Sequence, residues 1–153
     1  MSLDYEFAGW FPFDNPAEEA MQTVADEIGA PPGPRIQHGG LRVYPLEPDP
    51  NELPMMRRYL GFEPHLSLVF APYGPDETFT NGQRSMLRAA AALARRGVRG
   101  LLFGEYGADA SLILQSEDGR VTLNSTWSDW KGPPDLKSAI PEPYDWQPLT
   151  FAH

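Results

Sequence analysis

The sequence predicts an α+β fold, an antiparallel sheet of about six strands with two amphipathic helices on one face. Three observations carry this. Residues 16–28 and 81–96 repeat apolar side chains at helical spacing, and residues 98–127 read as three consecutive strands. Between the last two of these lies Glu117-Asp118-Gly119, and Asp-Gly between apolar runs is a strong hairpin signal because both turn positions need positive φ. The order β-α-β-β-α-β is that of ferredoxin-like folds. A C-terminal hairpin extends it, and the expectation is one domain over residues 1–153.

The elements follow in order. Asp4–Phe11 suits a first strand. Asn15, Pro16 and Glu18 form an Asn-x-x-Glu helix start with proline at the first helical position. Ala17, Ala20, Met21, Val24, Ala25 and Ile28 then share one face, and Gly29 ends the helix. Ala30–Gly40 reads as a Pro/Gly loop. Leu41–Leu46 reads as a second strand, with Pro45 suggesting an edge. Residues 47–64 form a long proline-punctuated connection with one helical turn near Leu53–Leu60. His65–Phe70 alternates as a third strand.

Thr80 and Gln83 can cap the second helix over Asn81–Arg96. Its buried stripe is Met86, Leu87, Ala90, Leu93 and Ala94, with Arg84, Arg88 and Arg95 on the solvent side and Gly97 just past its end. The strand block VRGLLFGEY, SLILQS and RVTLNSTW follows, then a short helical turn around Asp135–Ala139. A closing strand spans Tyr144–Thr150.

Composition narrows the function. Hydrophobic residues make up 41% of 153, enough for a folded core. Pro plus Gly is 31 of 153 residues, below the roughly 25–30% of disordered chains. The absence of cysteine excludes disulfides and thiol chemistry. No apolar run approaches the length of a membrane span and no leader pattern is visible, so a cytoplasmic protein with no membrane partner is expected. The net charge is −9 and uneven: the first 34 residues hold seven acids and no base, whereas residues 84–99 hold five arginines and no acid. Such acidity disfavours nucleic-acid binding and favours encounter with a basic partner; it also simply maintains solubility.

Reactive constellations are sparse. The three histidines, His38, His65 and His153, have no His-x-x-x-His or Glu-x-x-His spacing, so no metal is expected. Gly-x-Ser-x-Gly and Gly-x-x-x-x-Gly-Lys are both absent, and no catalytic set or cofactor is expected. Glu105 and Asp109 flank Tyr106-Gly107 at a strand-to-strand corner and read as solvated loop acids or partner contacts. Trp127, Asp129 and Trp130 leave the last hairpin strand. Aromatics beside acids fit an interface anchor and fit equally a C-terminal arm stapled onto the sheet.

From His65 onward the chain resembles a bacterial immunity family. The matching words run in order: HLSLVF, RSMLRAAAALAR, Leu-Leu-Phe-Gly-Glu, SLILQS, RVTLNSTW and PEPYDWQPL, with SLDYEF and a following helix compatible at the start. The family is that of the immunity proteins of Sit-type (swarming-inhibition) toxin systems, in the type-three branch common in actinobacteria. This sequence departs from it in the proline-rich 47–64 connection and in Gly107-Ala108-Asp109. The resemblance implies a non-enzymatic antitoxin that binds a cognate protein toxin, with Glu105, Tyr106, Asp109, Trp127, Asp129 and Trp130 as the expected partner-binding residues. The alternative is a small-molecule-binding or enzymatic ferredoxin-like domain using an open sheet face around His65, Glu105 and Tyr106. A homodimer joined through sheet edges or faces is compatible with either.

Overall fold

The computed structural model describes residues 4–104, 111–131 and 135–151. The strands are β1 (Tyr5–Trp10), β2 (Ile36–His38), β3 (Leu41–Leu46), β4 (Leu66–Pro72), β5 (Arg99–Phe103), β6 (Leu112–Glu117), β7 (Arg120–Asn124) and β8 (Asp145–Gln147). The helices are α1 (Pro16–Ile28), α2 (Leu53–Leu60) and α3 (Asp76–Arg95), with short 3-10 turns at Ser128–Trp130 and Leu136–Ala139. All eight strands form one sheet in the order β2-β3-β4-β1-β5-β6-β7-β8.

The α+β class holds, and α1 and α3 pack on one sheet face as expected, whereas α2 lies on the other. The count of about six strands and the ferredoxin-like start do not stand as expected. Strand β2 emerges from the presumed 30–40 loop, and α2 intervenes between β3 and β4. Three residues, Ile36-Gln37-His38, are too few to write a period in the sequence, yet they pair with Val43, Arg42 and Leu41. Nor is the sheet wholly antiparallel. β8 runs parallel to β7, with Thr122 opposite Asp145 and Asn124 opposite Gln147. A parallel neighbour needs a crossover connection, and the segment between β7 and β8, with its two 3-10 turns, provides it.

Local chemistry explains the element ends. α1 has Pro16 at its first position and ends at Gly29, whose φ of 75° is left-handed. The expected bond from Glu18 back to the helix start is made instead by Glu19, whose Oε2 accepts from the Asn15 N–H at 2.8 Å. α3 begins five residues before the expected Asn81, with Pro75 ahead of it and Asp76 and Glu77 in its first turn, where the helix dipole favours acids. Neither Thr80 nor Gln83 caps it; Gln83 is buried beside Tyr5. In the Asp118-Gly119 turn φ is positive at both positions, 53° and 77°.

The main core lies between the helices and the sheet. Phe7, Phe11, Leu68, Phe70, Leu102 and Leu114 meet Met21, Val24, Met86, Leu87 and Leu93 there. α3 is buried along most of its length, and Arg84 and Arg88 of the supposed solvent stripe are half-covered. Gly82 shows why α3 packs so closely: a Cβ there would overlap the Gly40 carbonyl. A second cluster occupies the other sheet face, where Met56 and Leu60 of α2 cover Ala8, Leu101, Phe103 and Leu112. Leu149 and Phe151 pack against it. That face is therefore covered over β1 and β5, whereas the β6–β8 portion presents Glu117, Arg120, Asp145 and Gln147 to solvent.

Candidate partner-binding site

Of the expected contact residues, Trp127, Asp129 and Trp130 lie at the end of the sheet where β1 begins and β5 and β7 end. The Gly104 N–H donates to the Ser111 carbonyl at 2.7 Å and closes the base of the β5–β6 connection. Glu105, Tyr106 and Asp109 lie outside the described residues, between these two anchors.

Asn124, at the end of β7, joins this corner to the tryptophans. Its Nδ2 donates to the Leu112 carbonyl at 2.6 Å, and its Oδ1 accepts from Thr126 Oγ1 at 2.9 Å and from the Leu149 N–H at 2.8 Å. Its own carbonyl accepts from Trp130 Nε1 at 2.7 Å and from the Trp127 N–H at 3.1 Å. One buried amide thus holds the start of β6, the exit of β7 and the C-terminal segment. In the sequence the only trace of this role is an asparagine in a strand, where that residue is disfavoured.

Around this amide the aromatic rings pack together, Tyr5–Trp127 and Trp127–Trp130 edge to face and Trp130–Trp146 tilted. Trp127 and Trp130 are 4.8 Å apart, Tyr5 meets Trp127 at 6.4 Å, and Trp146 meets Trp130 at 5.8 Å. The Trp127 and Trp130 indoles are each 6% exposed and belong to the core. Asp129, between them in the chain, is exposed. Gln83 Nε2 reaches both the Asp129 carboxylate, at 3.4 Å, and the Tyr5 hydroxyl, at 3.5 Å. Burial pushes the Tyr5 hydroxyl up to about 12, opposed by the hydrogen bond from Gln83 and assisted by the Asp129 charge. The arrangement is a fixed surface carboxylate on a rigid aromatic base. It suits recognition of a cation or a hydrogen-bond donor.

His65 stands elsewhere. It neighbours Trp10 at the other end of β1, whereas Phe103 pairs with Glu6, four residues or roughly 13 Å away along the strand. The sheet therefore separates His65 from the anchors of the 105–110 connection. His65 Nε2 accepts from the Phe11 N–H at 3.3 Å, and burial lowers its pKa. On the sheet face that α2 covers, Leu60, Phe62, Arg99 and Phe151 line, among others, a depression of about 250 Å³, and a second of about 310 Å³ lies over the uncovered β6–β8 portion. No group of three or more His, Asp or Glu among the described residues could hold a metal ion, and no described helix is long and apolar enough to cross a membrane.

Comparison with known proteins adds one finding. No curated protein and no solved structure matches the chain. The SitI3-like family model, however, matches residues 5–134, from the first residue of β1 past the Ser128–Trp130 turn. That is 130 of 153 residues, and it takes in seven of the eight strands and all three α-helices. The chain belongs to the SitI3-like family.

Proposed function

We propose that this chain is an immunity protein that neutralises a cognate bacterial toxin by stoichiometric binding, acting as one domain in the cytoplasm of the producing cell. The observation that carries the reading is the family match over 130 residues. The acidic balance of the chain supports it, since −9 net charge speeds encounter with a basic protein. The reading needs no chemistry from the chain itself: binding that covers the toxin's working surface suffices. The contact surface is the sheet end around Asp129, together with Glu105, Tyr106 and Asp109 of the adjoining connection. Trp127 and Trp130 serve this surface chiefly through the rigid position they give Asp129.

The test is co-expression with the toxin encoded beside this chain. Growth is restored and the two proteins copurify in a fixed ratio if the reading is right; toxicity that persists at full expression of a folded chain sinks it. Asp129→Lys tests the surface. Asp129 is exposed, so folding is retained while the complex weakens roughly tenfold or more through the reversed charge.

A further inference from the structure

A further cleft lies at the opposite edge of the sheet. It has a volume of about 570 Å³, between α1 and the 32–34 loop. Ala17 and Met21 of α1 line it together with Pro32, Gly33, Pro34 and Pro45. Its origin is topological. β2 pairs with β3 only from Leu41 to Val43, so beyond Val43 the edge of β3 is uncovered and the incoming 30–35 segment stands away from it. Pro45 occupies that uncovered stretch, where a residue without an N–H leaves no donor unpaired.

The cleft is apolar within and carries the Glu18 carboxylate at its rim. Glu18 and Gln22 border it, and Asp26 follows one turn further along the same row of α1, its Oδ1 accepting from Gln22 Nε2 at 2.8 Å. Glu18 and Asp26 are exposed, and no described cation pairs with either. The nearest base in sequence is Arg35, but its guanidinium lies over the Tyr44 ring at 5.4 Å. Tyr44 alternates with core-facing Val43 and so faces away from α1, which removes the Arg35 charge from the rim. An apolar cleft bordered by the Glu18 carboxylate, with Asp26 two turns along α1 and no described cation on either, selects a segment with matching chemistry.

We infer that this cleft receives a basic, extended segment of the protein partner, with an aliphatic side chain on Met21 and Ala17 and Lys or Arg side chains on Glu18 and Asp26. The inference rests on the reading of the chain as a binding protein and gives it a second contact, distinct from the Asp129 surface. The acidic side chains steer the partner and the apolar lining holds it.

The test uses isotope-labelled full chain titrated with a synthetic peptide of Arg, Leu and Pro, and with a counterpart in which Glu replaces each Arg. Amide shifts confined to residues 17–22, Gly33 and Arg35, seen with the basic peptide alone, are expected. Glu18→Lys with Asp26→Lys weakens them roughly tenfold. Shifts scattered over every acidic surface, an unchanged response in the double variant, or self-association through the cleft would overturn the inference. The same double variant is then measured against the toxin. Unchanged toxin affinity also overturns it. A wild-type chain that takes the basic peptide in the cleft and does not bind the toxin supports the cleft and sinks the immunity reading.

Discussion

The two ends of the sheet carry similar sequence and opposite structure. Trp127-Ser-Asp-Trp130 follows β7 at one end, and Trp10-Phe-Pro-Phe-Asp14 begins at the last residue of β1 at the other. Both are aromatic words edged with acid. Trp127 and Trp130 are nearly inaccessible, closed between Tyr5, Trp146 and the Asn124 carbonyl, whereas Trp10 is 52% exposed. Phe11, one residue along from Trp10, is 2% exposed. Strand parity makes that difference, because neighbouring side chains leave a strand on opposite faces. At the β7 end the chain turns back through a 3-10 helix and brings both rings to the helix side, where α3 and the Leu136–Ala139 turn enclose them. Aromatic density therefore marks where the chain needs a core, and exposure has to be read from which face each residue occupies.

Truncating one ring at each end gives the sharpest test of this contrast. Trp130→Ala removes a buried ring with two aromatic neighbours and should cost about 3–5 kcal/mol in urea unfolding. Trp10→Ala should cost less than about 1 kcal/mol. Equal losses would show that the Trp10 end is as closed as the other.

A smaller loss is expected at the amide beneath the rings. Asn124→Ala leaves the Leu112 carbonyl and the Leu149 N–H without their partner and should cost about 2–3 kcal/mol. Susceptibility of the C-terminal segment to proteolysis should rise with it, since the bond to Leu149 is one of its ties to the sheet. A variant as stable and as resistant as the wild type would remove Asn124 from its central place.

The smallest effect belongs to His65. Its pKa is lowered by burial, so the unfolded chain takes up a proton at higher pH than the folded one. The sign follows. The contribution is fully present above the ordinary histidine value of about 6.5 and is lost as pH falls from there through the depressed folded value. Protonation also removes the Nε2 lone pair that accepts from Phe11. Because the ring is largely exposed, solvent screens the effect, and only a fraction of the Trp130 loss is expected. His65→Gln should flatten the dependence of the unfolding midpoint between about pH 7 and pH 5. An unchanged slope would mean that the Phe11–His65 bond does not report on folding.

Legibility in the sequence follows the range of the forces involved. α1, the stripe Met86–Leu87–Ala90–Leu93–Ala94 and the Asp118-Gly119 turn are visible because each is set by near neighbours, and the helical turn expected near Leu53–Leu60 coincides with α2. β2 is hidden because its three residues owe their extended form to pairing with β3. The burial of Trp127 and Trp130 is hidden because it depends on how the chain turns after β7. Asn124 is hidden for the same reason: two of its side-chain partners, Leu112 and Leu149, lie 12 and 25 residues away. The cleft beside α1 depends on the early end of a strand that the sequence does not announce.

The position of β1 has a consequence for how the chain is made. β1 is synthesised first, yet it lies in the middle of the sheet between β4 and β5. Tyr5 pairs with Phe70 and Glu6 with Phe103, so its two neighbours arrive 65 and 97 residues later. Until Phe103 has left the ribosome, β1 keeps an open edge with Phe7 and Ala8 in it, and contacts of such long sequence separation slow folding. The sheet can close around β1 only after Phe103 has emerged, and the nascent form depends on reaching that point before the open edge finds another strand.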